Sequence, residues 1–187
     1  HQTENTGTVS LIERQVKLLR EESRKYHQQL QQLVKVAQEN DNIAKQLHRL
    51  TLALIETRSF EEVLNTLQDE MRELLNADAV EMKLFSNEEL SADSKDTGVM
   101  MFYDFLQKGH PSCGNLPAQQ IEYLFGTQVL DTCSVALIPV RSAALVGVLA
   151  IGSRDAQRFS SNKGVDFLHR LAEVVSATLC AVAGPGN

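Results

Sequence analysis

The stretch GVLAIGS, Gly147 to Ser153, is a run of small and apolar residues bracketed by glycines, and three structures share that look: a buried strand, a piece of membrane span, or a glycine-rich phosphate cradle. A membrane span needs about 18 to 20 apolar residues. The apolar run from Ala143 to Ile151 stops well short of that, with Gly147 inside it. A phosphate cradle needs glycines that open a helix directly after a strand, with N–H groups converging on the anion. Here Gly147 sits within the run and Gly152 closes it, so the glycines fit close packing of a helix on a sheet. A second run, SVALIPV from Ser134 to Val140, precedes it by only a few small residues. Two continuous apolar runs so close together predict an antiparallel hairpin covered on both faces. Pro139, near the end of the first run, implies an unpaired backbone position there.

Outward from the hairpin, the pattern alternates helix and strand. After Ser153 comes a turn and then a C-terminal helix with Val165, Leu168, Leu171, Ala172, Val175, Leu179 and Val182 on one side. Upstream, Ser59 reads as an N-cap with Glu61 and Glu62 in the first turn, near the positive end of the helix dipole. That helix stops near Asn76, and DAVEMKLF, Asp78 to Phe85, sets Val80, Met82 and Leu84 against Glu81, Lys83 and Phe85, the period of a half-buried strand. Residues 86 to 97 are polar and read as a loop. VMMFYDFLQKG, Val99 to Gly109, reads as a short helix stopped by glycine. LPAQQIEYLFG repeats the design, with Pro117 in the first turn and Gly126 as the stop. The expectation is an α+β fold, an antiparallel sheet flanked by helices.

The first third of the chain differs in kind. From Val9, apolar positions step by three and four through Ile12, Val16, Leu19, Ser23, Tyr26, Leu30, Leu33, Ala37, Asn40, Ala44, Leu47, Thr51 and Leu54, and eleven of these fourteen are apolar or Tyr. No Pro or Gly interrupts between Thr8 and Phe60. A sustained heptad predicts one continuous helix with a seam for another helix. At about 1.5 Å per residue it would run roughly 70 Å, longer than a small domain is wide. The cheapest cover for such a stripe is a second copy, so a parallel homodimer is expected through Val9, Ile12, Val16, Leu19, Tyr26, Leu30, Leu33, Ala37 and Asn40. Asn40 on the seam either fixes register or faces solvent where the seam frays. A second stripe, Val36, Ile43 and Leu50, widens the apolar face where the helix begins to pack on a domain body. The chain thus divides into a dimerising coiled-coil helix, 1–57, and a body, 58–187.

Composition narrows the function. The chain has 187 residues, 43% hydrophobic, and a net charge of −6. That balance opposes a large nucleic-acid footprint, which needs clustered Lys and Arg, and no stretch reads as a membrane anchor. Three cysteines, Cys113, Cys133 and Cys180, make no disulfide framework and suit a reducing compartment. There is no initiator Met and no signal segment, so further sequence upstream of His1 is expected. From the cysteine usage, a cytoplasmic location is expected. His110, three residues before Cys113, lacks the further ligands that a structural metal site of about four would need, and no metal is expected. No Ser-His-Asp spacing, carboxylate pair or P-loop stands out.

The order of these elements resembles the GAF-like fold. In GAF domains a strand of the kind G-x-L-x-(I/L)-x-S, then Phe-Ser and an amphipathic helix, is matched here by Gly147, Leu149, Ile151, Ser153, Phe159 and Ser160. A closer likeness is to the bacterial DUF484 family of uncharacterised GAF-like proteins, carried by TVSLIERQVKLLRE, AQEND, CGNL with YLFG, SVALIPV and LAIGSRDAQRF, and covering nearly the whole chain. The resemblance implies a fold and no settled activity. It implies that residues 98 to 134 roof a cavity over the sheet, where GAF domains bind cyclic nucleotides, tetrapyrroles, metabolites or nothing. Candidate ligand-binding residues are Met100, Tyr103, Cys113, Phe125, Ser134 and Arg141. The cyclic-nucleotide signature is not met, because Ser153, Arg154, Lys163 and Gly164 stand where its Asn-Lys and Asp-Glu pairs would be. The cofactor is left unknown. The expected role is a non-enzymatic sensory or regulatory module that binds a small molecule or a protein and couples it to the N-terminal helix. Two alternatives stand beside it: a thiol enzyme like the GAF-fold free methionine sulfoxide reductases, using Cys113 and Cys133, and an assembly adaptor whose pocket is filled by Met100, Phe102, Phe105 and Phe125.

Overall fold

The computed structural model describes residues 4–90, 96–126, 132–159 and 165–183, with side chains of its first helix described from residue 11 on. The Val9 side chain, and Ser160, Lys163 and Gly164, lie outside the described residues. In chain order the elements are helix α1 (Glu4–Ile55), helix α2 (Phe60–Leu75), strand β1 (Ala79–Ser86), helix α3 (Thr97–Lys108), strand β2 (Ser112–Gly114), helix α4 (Ala118–Phe125), strands β3 (Ser134–Arg141) and β4 (Leu145–Ser153), and helix α5 (Asp166–Ala183). The chain divides into two compact units, His1–Lys45 and Gln46–Asn187.

The first unit is the leading part of α1. Its apolar stripe is open: Ile12, Val16, Leu19, Tyr26, Leu30 and Leu33 are 40 to 65% exposed, and Ala37 and Asn40 are exposed beside them. The helix has no break because nothing in its sequence breaks one, and i to i+4 pairs such as Lys45 with Asp41 (2.7 Å) add the few tenths of a kcal/mol typical of exposed helix charges.

The second unit opens with the last turns of α1, where Leu47, Leu50 and Leu54 are buried. Of the expected widening stripe, Leu50 enters the core and Val36 stays 45% exposed. Arg49 ties this end of α1 to α2 through ion pairs with Glu70 (3.2 Å) and Glu73. Helix α2 starts where Ser59 accepts a hydrogen bond from the Glu62 N–H (3.2 Å), and it ends at Asn76 in the left-handed region, φ 47°.

The four strands form one antiparallel sheet in the order β1-β4-β3-β2. Alternation of side chains along each strand sorts them by register. Phe85, Val146, Val148, Ala150, Leu137 and Val135 share one face and form a core cluster with Val99, Phe102 and Leu106 of α3 and Leu124 and Phe125 of α4. The opposite set, Ala136, Ile138, Val140, Leu149 and Ile151, is equally buried, on the side where α5 packs along β3 and α2 along β1. Because the edge strand β1 is covered from both sides, its buried residues are Val80 and Phe85, one on each face, while Met82 and Leu84 are half-buried. The simple alternation read from the sequence does not capture that.

Strand β2 carries no pattern that a sequence reading detects, being only Ser112, Cys113 and Gly114. Its brevity leaves the outer edge of β3 unpaired beyond Leu137. Pro139, which has no N–H, occupies that open edge; the Arg141 N–H donates to Ser176 Oγ of α5 (3.0 Å), and Cys180 Sγ donates to the Arg141 carbonyl (3.8 Å). Cys180 is thus exposed at the sheet edge.

The two glycines of GVLAIGS have different reasons. A Cβ on Gly152 would stand 3.2 Å from Phe125 Cζ, so this glycine lets α4 close on the sheet as expected. A Cβ on Gly147 would instead stand 2.4 Å from the Lys83 carbonyl oxygen and 2.7 Å from Leu84 Cδ2, so it admits the neighbouring strand β1 and not a helix. Since backbone must move to make room there, Gly147→Ala is expected to destabilise by about 1–3 kcal/mol, and Gly152→Ala, opposed only by side-chain atoms, by less. Urea unfolding followed by circular dichroism checks the order.

Candidate functional site

The volume between α3, α4 and the sheet is occupied by the chain itself. Val99, Phe102, Leu106 and Leu124 are at most 1% exposed there. The two roof helices interlock at Gly98, whose missing side chain is replaced by the Tyr123 ring, which also lies 6.1 Å from that of Phe102. Lys83 Nζ stands 5.9 Å from the Tyr123 centroid on the β1 side. Burial, and then the Asp96 charge, push the Tyr123 hydroxyl up from its ordinary pKa.

The six residues singled out as a ligand site do not converge. Phe125 alone belongs to the core under the roof. Met100 is 49% exposed on α3, and Tyr103 is half-buried. Cys113 is registered with Ala136, and Ser134 falls in phase with Ala136, so both project to the α5 side of the sheet and away from the roof. Arg141 lies at the end of β3, exposed, with Nη2 donating to the Leu106 carbonyl in the last turn of α3 (2.6 Å). Along a strand each single step reverses the face, so the chain order of these residues does not decide which of them meet.

The thiols are likewise separate. With Cys113 opposite Ala136, Cys133 lies three residue steps further along β3, about 10 Å, beyond the roughly 4.4–6.8 Å Cα separation of a disulfide. Burial pushes the Cys113 thiol up from its ordinary value, which lowers its thiolate fraction. Among the described residues, no group of three or more His, Cys, Asp or Glu is arranged to hold a metal ion, and no helix is long and apolar enough to cross a membrane.

An apolar groove of about 570 Å³ runs between the end of α1 and α5, where Thr51, Leu54 and Ile55 face Val174, Ala177 and Ala181. Sequence reasoning missed it, since only the pairing of two distant helices creates it.

The model of the family described as protein of unknown function, DUF484, matches residues 1–181. The chain belongs to the DUF484 family. No curated protein matches it.

What holds the stretch LAIGSRDAQRF, Leu149 to Phe159, in place is a polar knot at the end of β4. Asp78 Oδ2 accepts from the Arg154 N–H (2.8 Å) and from Ser153 Oγ (3.1 Å). Ser134 Oγ, fully buried, donates to the Asp155 carbonyl (2.6 Å) and accepts from the Phe159 N–H (3.3 Å). Ser134 is therefore committed to the turn. The signal of this knot in the sequence is an Asp just before β1 and the triplet Ser153-Arg154-Asp155 at the end of β4. The Arg154 N–H, opposed by desolvation and helped by Ser153 and by the Arg154 and Arg158 charges, holds the Asp78 carboxyl below its ordinary pKa. A carboxylate with a depressed folded pKa adds stability that is present above its unfolded pKa, about 3.9, and is lost as pH falls through the folded value. The DUF484 chain is therefore expected to lose stability below about pH 4, and Asp78→Asn to weaken that acid dependence while lowering stability at neutral pH. Thermal unfolding at stepped pH measures both.

Proposed function

We propose that this DUF484 chain is a homodimeric, non-enzymatic regulatory module of GAF-like architecture. In it, residues 1–57 form a parallel coiled coil and residues 58–187 a body that receives a small molecule or a protein partner. The observation that carries the reading is the open stripe on α1: six large apolar side chains in one heptad register, each about half exposed. Covering such side chains yields about 1–2 kcal/mol apiece by the usual area rule, and a second copy in register is the simplest cover. The groove beside α5, into which the seam positions Thr51 and Leu54 open, offers the second copy a further apolar surface.

Coupling between body and coiled coil is supported by Leu47, Leu50 and Leu54, which are α1 residues and core residues of the body at once. An event that repacks the body core acts on α1 directly through them. Such a shift needs a partner with different affinity for the two packings. The filled roof favours, as a second reading, an assembly adaptor that engages other proteins and holds no ligand there. The burial of Cys113 and its separation from Cys133 weigh against a thiol reductase. Reduction of free methionine sulfoxide that disappears in Cys113→Ser would overturn the non-enzymatic reading.

Sedimentation equilibrium is expected to give a dimer at micromolar concentration, and Leu30→Asp with Leu33→Asp a monomer whose body keeps its unfolding midpoint. In a parallel pair, residue 23 meets its own copy across the seam. Ser23→Cys, in a background with the native cysteines changed to Ser, should therefore cross-link on mild oxidation. A monomeric wild type, or no cross-link in a dimeric one, removes the proposed arrangement.

A further inference from the structure

Where β2 stops covering β3, a second groove of about 400 Å³ opens around the sheet edge, between the segment that follows α3 and the face of α5. Three elements deliver its polar groups. Gly109, at φ 66°, ends α3 and turns the chain so that His110 lies against His169 of α5, the two rings edge-on with centroids 5.8 Å apart. Arg141, at the end of β3, is held by the bond from Nη2 to the Leu106 carbonyl (2.6 Å). That bond uses one of five guanidinium N–H donors. Arg141 makes no ion pair among the described residues. Ser176, whose oxygen accepts from the Arg141 backbone N–H, keeps its own proton to donate. The rest of the lining is apolar apart from Glu173, with the buried Pro111 and Pro139 among it.

We propose that this edge groove binds a small organic monoanion, a carboxylate carried on an apolar body. The fixed Arg141 guanidinium holds the carboxylate, His110, His169 and Ser176 supply further donors, and the prolines pack against the apolar part. A guanidinium pinned before the ligand arrives loses little freedom on binding, and its planar fork matches a carboxylate. Glu173, one turn beyond His169 on α5 and also at the groove, is the opposing charge. It makes a doubly charged anion a poorer fit than a single carboxylate. The site lies outside the roof and owes nothing to the α1 seam, so it stands or falls separately from the dimer.

The test is a nuclear magnetic resonance titration of the full chain with benzoate, watching the His110 and His169 imidazoles and the Arg141 Nε–H. Parallel titrations use cyclohexylammonium, inorganic phosphate and Zn²⁺. Saturable movement of all three groups with benzoate and none with cyclohexylammonium is expected. Arg141→Gln should weaken benzoate about tenfold, the loss typical of one charge-assisted hydrogen bond. Should that variant fail to fold, the exposed His110→Gln decides: weakening of benzoate by a few fold supports the site, and unchanged affinity overturns it. Absence of saturation, benzoate affinity indifferent to Arg141, or tighter binding of phosphate than of benzoate each overturns the assignment. So does Zn²⁺ binding that needs both histidines and ignores Arg141, which would make this a metal site.

Discussion

From Val146 to Ser153 every residue of β4 is buried, and the strand is hydrogen-bonded along both edges. A strand in that position needs apolar cover on two faces and a partner on two sides, and the second unit is arranged to supply them. Helices α3 and α4 close one face, α2 and α5 lie toward the other, and β1 and β3 take the edges. The demand is severe enough that Gly147 has no side chain at all, so that β1 can approach. The knot of Asp78, Ser134 and Ser153 then fixes the chain where it leaves β4.

That arrangement packs the described part of the middle with side chains. The space under α3 and α4 is filled by Phe102, Leu124 and their neighbours, and three features among the described residues are open at the surface. They are the open stripe of α1, the groove beside α5 and the polar groove at the edge of β3. Each is built from residues that a single element cannot bring together, except the stripe, which one helix displays by itself.

The same distinction explains what could be read from the sequence. The stripe of α1, the Ser59 cap, the Asn76 and Gly109 stops and the two apolar strands are local patterns, set by 3.6- or 2-residue periods and by individual backbone preferences. They appear in the structure much as the sequence implied. Strand β2 was illegible because three residues carry no period. The set of Met100, Tyr103, Cys113, Phe125, Ser134 and Arg141 follows from the resemblance, which implies a roof of residues 98 to 134 over the sheet, but which face each strand residue takes depends on register, and register is settled by partners far away. The meeting of His110 with His169, fifty-nine positions apart, left no trace in the sequence at all.

The outer margin of β3 has a consequence for behaviour in concentrated solution. A bare strand margin is a template on which another molecule can add a strand of its own. Here the two backbone positions that would receive such a newcomer are already closed: Pro139 brings no hydrogen to offer, and α5 takes that of Arg141. The short third partner of the sheet therefore does not leave the molecule adhesive. The proline in that hydrophobic run thus withholds a donor from any strand that would add along this margin, an effect that a measurement of folding stability alone would not reveal.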